Sequence, residues 1–200
     1  MNKTAPQTEG RELYLVLSQT GTFLSHILKL FTKSKYNHSS LSLTKDLSTM
    51  YSFGRLHPYN AFWGGYVKEG LNEGVYKRFP NTVAAIFIIK VSEENYTAIN
   101  SRLEEMYTER KKYHYNTFGL FTAIFGIHFK RKNDYYCSDF VSEILTDFGI
   151  INKSDLNEIV KPSDFYYIFN NSLIYEGVFK DFDPNGNTDS IPAVELIEQS

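Results

Sequence analysis

One cysteine occurs among the 200 residues, and it stands in the stretch DYYCSDFVSEIL, between a tyrosine and a serine. After it, Phe140, Val141, Ile144, Leu145 and Phe148 recur at helical spacing, which places Cys137 at the N-terminal end of an amphipathic helix. The unpaired backbone N–H groups and the positive dipole end of such a helix favour a thiolate. The backbone N–H groups at Cys137–Ser138 could also hold the oxyanion that forms when a thiol adds to a carbonyl. Counting back by three and four puts Cys137 on the inward stripe as well, where a free cysteine packs as a small hydrophobe. Nucleophile and core filler are both open readings of this stretch alone.

A nucleophilic thiol needs a base, which the fold can bring from a distance in sequence. Five histidines are present. His26 falls in a predicted helix, His57 stands beside Pro58, and His114 and His128 lie in aromatic segments where structural roles are ordinary. His38 differs. It opens the alternating run HSSLSLT, with Leu41 and Leu43 on one face and His38, Ser40 and Ser42 on the other. Those small neighbours leave room for a helix bearing Cys137 to approach. The cysteine and histidines show no CxxC, HxxxH or HExxH spacing, so no metal is expected. No GxSxG elbow or phosphate-cradling glycine loop occurs, and no cofactor is implied. The formal charge of −2 implies no nucleic-acid partner.

The elements around these residues read as one domain over 12–180, with flexible tails at 1–11 and 185–200. ELYLVLS predicts a buried strand. Phe23, Leu24, Ile27, Leu28 and Phe31 predict a helix capped by Thr22. HSSLSLT and STMYSFG predict a hairpin turning near Lys45-Asp46. Residues 57–80, rich in Gly, Pro and Asn around Trp63, read as a long excursion forming a lid or cleft wall. TVAAIFIIKV is the strongest strand signal, and a helix opens at Ser92. The cysteine helix should end near Gly149, a short helix should start at Pro162, and LIYEGVF should be the last strand. The fold class expected is α+β. No apolar run approaches the length of a membrane span and no signal-peptide core is seen, so a soluble, cytoplasmic protein with a reduced thiol is expected.

Taken together, YNHSSLSL, then STMYSFGR, then YYCSDFVSEIL far downstream resembles the circularly permuted branch of the NlpC/P60 papain-like superfamily. There a histidine on a strand precedes the nucleophilic cysteine at a helix N-terminus. The resemblance covers roughly 12–150. It implies an antiparallel sheet packed against the cysteine helix, and a cofactor-free cysteine hydrolase or acyltransferase of the amidase, peptidase or thioesterase class. Cys137 would be the nucleophile and His38 the base, acting on a small-molecule, peptide, peptidoglycan-type or lipid acyl substrate. Relatives carry a polar group that orients the imidazole; here the strand after His38 offers Ser48, Thr49, Tyr51 and Ser52. A three-residue turn faces 38 with 52 and a two-residue turn favours Tyr51, so Ser52 is the expected third member with Tyr51 the alternative. Ser138, Tyr135, Tyr136 and Trp63 are expected at the oxyanion site or cleft. A non-catalytic lipid- or peptide-binding module on the same fold is the competing reading.

Overall fold

The computed structural model describes residues 10–20, 35–57, 60–116, 119 and 131–186, and the side chains of 55, 57 and 60–63 lie outside that description. The elements in chain order are β1 (Arg11–Gln19), β2 (His38–Ser42), β3 (Met50–His57), β4 (Asn60–Glu69), α1 (Gly74–Arg78), β5 (Val83–Val91), α2 (Glu93–Thr108), β6 (His114–Tyr115), β7 (Asp134–Tyr135), α3 (Cys137–Asp147), α4 (Pro162–Ile168) and β8 (Leu173–Val178). A six-stranded sheet runs β4-β3-β2-β1-β5-β8, with every neighbouring pair antiparallel. β6 and β7 form a separate two-stranded parallel pair. The fold is mixed α+β, an antiparallel sheet with a few helices.

Alternation within the strands divides the interior in two. Leu13, Leu15 and Leu17 of β1, Leu41 of β2 and Phe53 of β3 face one layer, which α2, α3 and α4 cover with Leu103, Phe140, Ile144 and Phe165. Tyr14, Val16, Ala84 and Ile86 face the other, where Tyr76 of α1 packs with Leu47, Leu71 and Phe179. The second layer is the thinner one, and it holds the even-numbered residues of β2. The helix α2 starts as its sequence suggests, with Ser92 accepting from the Asn95 N–H at 3.1 Å. In α3, Phe140, Val141, Ile144 and Leu145 are all buried, each worth roughly 1.5–3 kcal/mol by area. That stripe docks the helix on β2 and β3 and so places its first residue.

Two expectations need correction. Most of the expected 57–80 excursion is a strand, residues 60–69, and a short helix, residues 74–78: β4 pairs with β3 from Met50↔Glu69 to Arg55↔Gly64 and, past an irregularity between Arg55 and His57, at His57↔Asn60. The glycine at 64 is a packing device, since a Cβ there would lie 2.7 Å from the Cβ of Tyr115. The hairpin register also differs: Leu41 faces Tyr51 and Ser42 faces Met50. The connection spans 43–49 because Leu47 turns inward with φ 53° and is wholly buried. Its N–H donates to Thr44 and its carbonyl accepts from Leu71 N–H, so the loop is held as part of the second core. The expected helix at 22–31 lies outside the described residues, as does nearly all of 117–130. The same holds for the expected tails, apart from residues 10–11 and 185–186.

Candidate active site

β2 and β3 pair only at Leu41 and Ser42, while β2 begins earlier, at His38. The two strands therefore part over 38–40, and this gap receives the first residue of α3. Cys137 Sγ stands 3.9 Å from the Asn37 carbonyl oxygen, and the Ser39 backbone N–H donates to the sulfur. Ser39's own carbonyl, left without a strand partner, accepts from the Ser52 hydroxyl at 2.6 Å. Ser52 thus bridges the parted strands and does not touch the imidazole.

The imidazole's partner is Glu69, at the end of β4. His38 Nε2 lies 2.9 Å from Glu69 Oε2, and the Ser40 hydroxyl donates to that oxygen at 3.1 Å. A carboxylate only accepts, so Nε2 carries the proton and Nδ1 is the nitrogen left for the thiol. His38 and Glu69 sit on strands that flank β3, and their side chains meet above Gly54. A Cβ at that glycine would be 3.3 Å from Glu69 Oε1 and 3.5 Å from His38 Cε1. The missing side chain leaves room for two next-nearest strands to join by a charged pair.

Electrostatics follow from this placement. Burial by itself lowers the His38 pKa, but the Glu69 charge and hydrogen bonds from Cys137 and Glu69 overcome it and raise the imidazole to about 10. Burial pushes the Cys137 thiol up, yet the His38 hydrogen bond and charge, with the Ser39 N–H, bring it below its ordinary value. Both shifts point to a thiolate–imidazolium pair. The side chains of His38 and Glu69 are only 17% and 14% exposed, and Cys137 is 5% exposed, so little water screens the pair.

The remaining expected residues separate into those near the thiol and those elsewhere. The Tyr51 hydroxyl donates to Glu104 on α2, away from His38. The Ser138 hydroxyl donates to the Val160 carbonyl at 2.7 Å and pins the start of α3, leaving only its backbone N–H for an oxyanion. Tyr135 belongs to the core: its ring lies 4.9 Å from that of Phe53, and its hydroxyl donates to Glu143 at 2.9 Å. Tyr136 is the residue before Cys137, and its buried hydroxyl makes no hydrogen bond among the described residues. Burial and the Asp139 charge push that hydroxyl up to about 12, so at neutral pH it keeps its proton, and it lies against Gly119, where a Cβ would be 2.3 Å from it. Trp63 lies on β4, with its side chain outside the described residues.

The residue that sequence reasoning missed is Glu69. Its signal was the alternation in GGYVKEG, where Val67 and Glu69 share a face with strand period. The neighbouring glycines obscured it. Among the described residues no three His, Cys, Asp or Glu side chains are grouped to hold a metal, and no helix is long and apolar enough to cross a membrane. No protein-family model, curated protein or solved structure matches this chain. The functional argument therefore rests on the site's geometry and on the motif resemblance.

Proposed function

We propose that the chain is a cysteine-dependent hydrolase or acyltransferase of the permuted papain-like kind, acting on an amide or ester bond. The observation that carries this reading is the alignment of a thiol at a helix N-terminus, an imidazole and a carboxylate on three separate elements. Cys137 Sγ attacks the carbonyl carbon, and the π pair moves to oxygen, where the Cys137 and Ser138 N–H groups would receive it. The imidazolium at His38 gives its proton to the leaving amine or alcohol as the C–N or C–O bond breaks. Water or an acceptor nucleophile then attacks the thioester, His38 takes its proton, and the thiolate leaves. Glu69 stabilises the imidazolium and orients the ring. A carboxylate on His38 also removes the main argument for a binding module, which was the lack of one on the strand at 48–52. Peptide, peptidoglycan-type and lipid acyl groups are the substrates the resemblance suggests.

An activated ester tests the chemistry without knowledge of the substrate. Incubation with p-nitrophenyl acetate should release a burst of nitrophenol and leave one acetyl group on Cys137, read by peptide mass spectrometry. His38→Ala should slow that burst about 10²–10⁴-fold, the usual worth of a positioned base. Acetylation confined to lysines, or a burst equal in wild type and His38→Ala, would sink the proposal.

A further inference from the structure

The segment that delivers His38 is tied to the far edge of the sheet by a largely buried carboxylate. Glu176 on β8 accepts from Lys35 Nζ and the Tyr36 hydroxyl at one oxygen, and from the Tyr166 hydroxyl of α4 at the other, 3.0 Å away. The Tyr36 and Tyr166 rings stack at 5.9 Å and 20°, and Tyr166 meets Phe87 of β5 edge-on at 5.6 Å. Glu176 belongs to the row Ser39, Leu17, Ala85, Glu176 that crosses β2, β1, β5 and β8. Three strand spacings separate the ends of that row, about 14 Å.

Over 38–40 β2 has parted from β3, so strand pairing on that side does not fix the histidine. On the other side the Asn37 N–H donates to the Ser18 carbonyl at 3.2 Å, and His38 pairs with Ser18 of β1. The Asn37 carbonyl borders the thiol, 3.9 Å from Cys137 Sγ. Tyr36 directly precedes these two residues, so whatever fixes its ring limits where they can lie. We propose that the tie from Tyr36 to Glu176, with both as positioning residues, takes the place of the missing β3 pairing and holds Asn37 and His38 against Cys137. The inference rests on the catalytic reading above and names what fixes its base where the strands part.

Packing alone does not account for the carboxylate. Tyr36 is 1% exposed and the Glu176 side chain 13%, and a charge placed so deep is costly unless it is paired and hydrogen-bonded. Apolar residues of similar volume would join α4 to the first layer without that cost. They would not fix a direction, whereas hydroxyls converging on one carboxylate leave the Tyr36 ring a single position. Burial by itself raises the Glu176 carboxyl, but hydrogen bonds from Lys35, Tyr36 and Tyr166 bring it below its ordinary value. Burial and Glu176 push both hydroxyls up, that of Tyr166 to about 12. The tyrosines therefore stay protonated between pH ~6 and ~9.5, and a changed thiol profile over that range reports the site and not the tie.

The test uses the full chain and sets Tyr36→Phe against Tyr14→Phe, which removes a like bond from a tyrosine to Glu12 on β1. Tyr36→Phe keeps the ring stack and leaves Glu176 with Lys35 and Tyr166, so it should fold. The readings are the nitrophenol burst, Cys137 alkylation by iodoacetamide against pH, and amide hydrogen exchange at 37–39. In Tyr36→Phe the burst should slow about tenfold with ester binding unchanged, short of the roughly 10²-fold that a 1 Å misplacement can cost. Alkylation near pH ~6 should fall as well, because a ring that wanders supports the thiolate less. The Asn37 amide should exchange about fivefold faster, the worth of one net hydrogen bond. Tyr14→Phe should change none of these. A folded Tyr36→Phe protein with wild-type burst, pH profile and exchange would overturn the inference, as would equal losses in Tyr14→Phe. If wild type itself shows no burst, the catalytic reading fails separately, and exchange at Asn37 and His38 still decides for or against the tie. Should Tyr36→Phe not fold, Glu176→Gln, which keeps the shape and gives up one acceptor oxygen, is read in the same way.

Discussion

At His38 two opposed effects act on one ring: burial works against the charged imidazolium, and Glu69 and Cys137 work for it. Glu69 is the larger of the two favourable partners, and its side chain is slightly more buried than the ring, so its charge acts with little screening. Glu69→Gln keeps the shape and the hydrogen-bond distance but removes that charge. The imidazole pKa should then fall well below its wild-type value, because the largest effect opposing burial is gone. Cys137 loses the partner that holds its own pKa down. Alkylation near pH ~6 should drop at least about tenfold, one pKa unit of thiolate population. NMR titration of His38 checks the cause directly. An imidazole still charged well above 7 in Glu69→Gln would show that some other group supports it.

The element that brings the charged pair together is β3, which touches neither charge. It separates β2 from β4, and the glycine at position 54 leaves open the space over it in which His38 and Glu69 reach each other. Gly54→Val should push Glu69 off the imidazole at a cost of roughly 1–3 kcal/mol, the usual range for overpacking. Its thiol should titrate closer to the free-cysteine value than in wild type. A Gly54→Val protein with unchanged pH profile would mean the strand can bow without cost. The same strand shows where sequence reading succeeded and where it stopped. Cys137 and His38 were legible because each stands at the start of a strongly periodic element, with Phe140 to Leu145 after one and Leu41 after the other. The third member was not, for two reasons. Leu47 folds into the second core and lengthens the 43–49 connection, shifting the register from the one that placed Ser52 opposite His38. The strand carrying Glu69 contains Gly64 and Gly65, which look like loop residues until Tyr115 is seen packed against the first. Side-chain period survives a register shift of two, which is why Ser52 still landed beside the site, on the Ser39 carbonyl.

Across the molecule the site joins β2, β4 and α3 through buried polar groups, so its protonation should register in global stability. The sign follows from each group in turn. The His38 pKa is raised from 6.5 to about 10, so its contribution is complete below pH 6.5 and is lost as pH rises toward 10. The Cys137 pKa is lowered from 9.0, so its contribution is complete above pH 9 and is lost as pH falls. Between these limits the two slopes cancel: the unfolded chain holds one proton on the thiol, and the folded chain holds one on the imidazole. The pair therefore contributes a plateau of stability between pH 6.5 and 9, falling away on both sides. Denaturant unfolding across this range measures it, and His38→Ala provides the control, since an uncharged thiol left alone in the gap loses the acid-side decline. A difference curve between wild type and His38→Ala that slopes steadily through pH 7 to 9 would mean that only one of the two groups changes protonation on folding. The thiolate–imidazolium pair would then be wrong even if the distances were right.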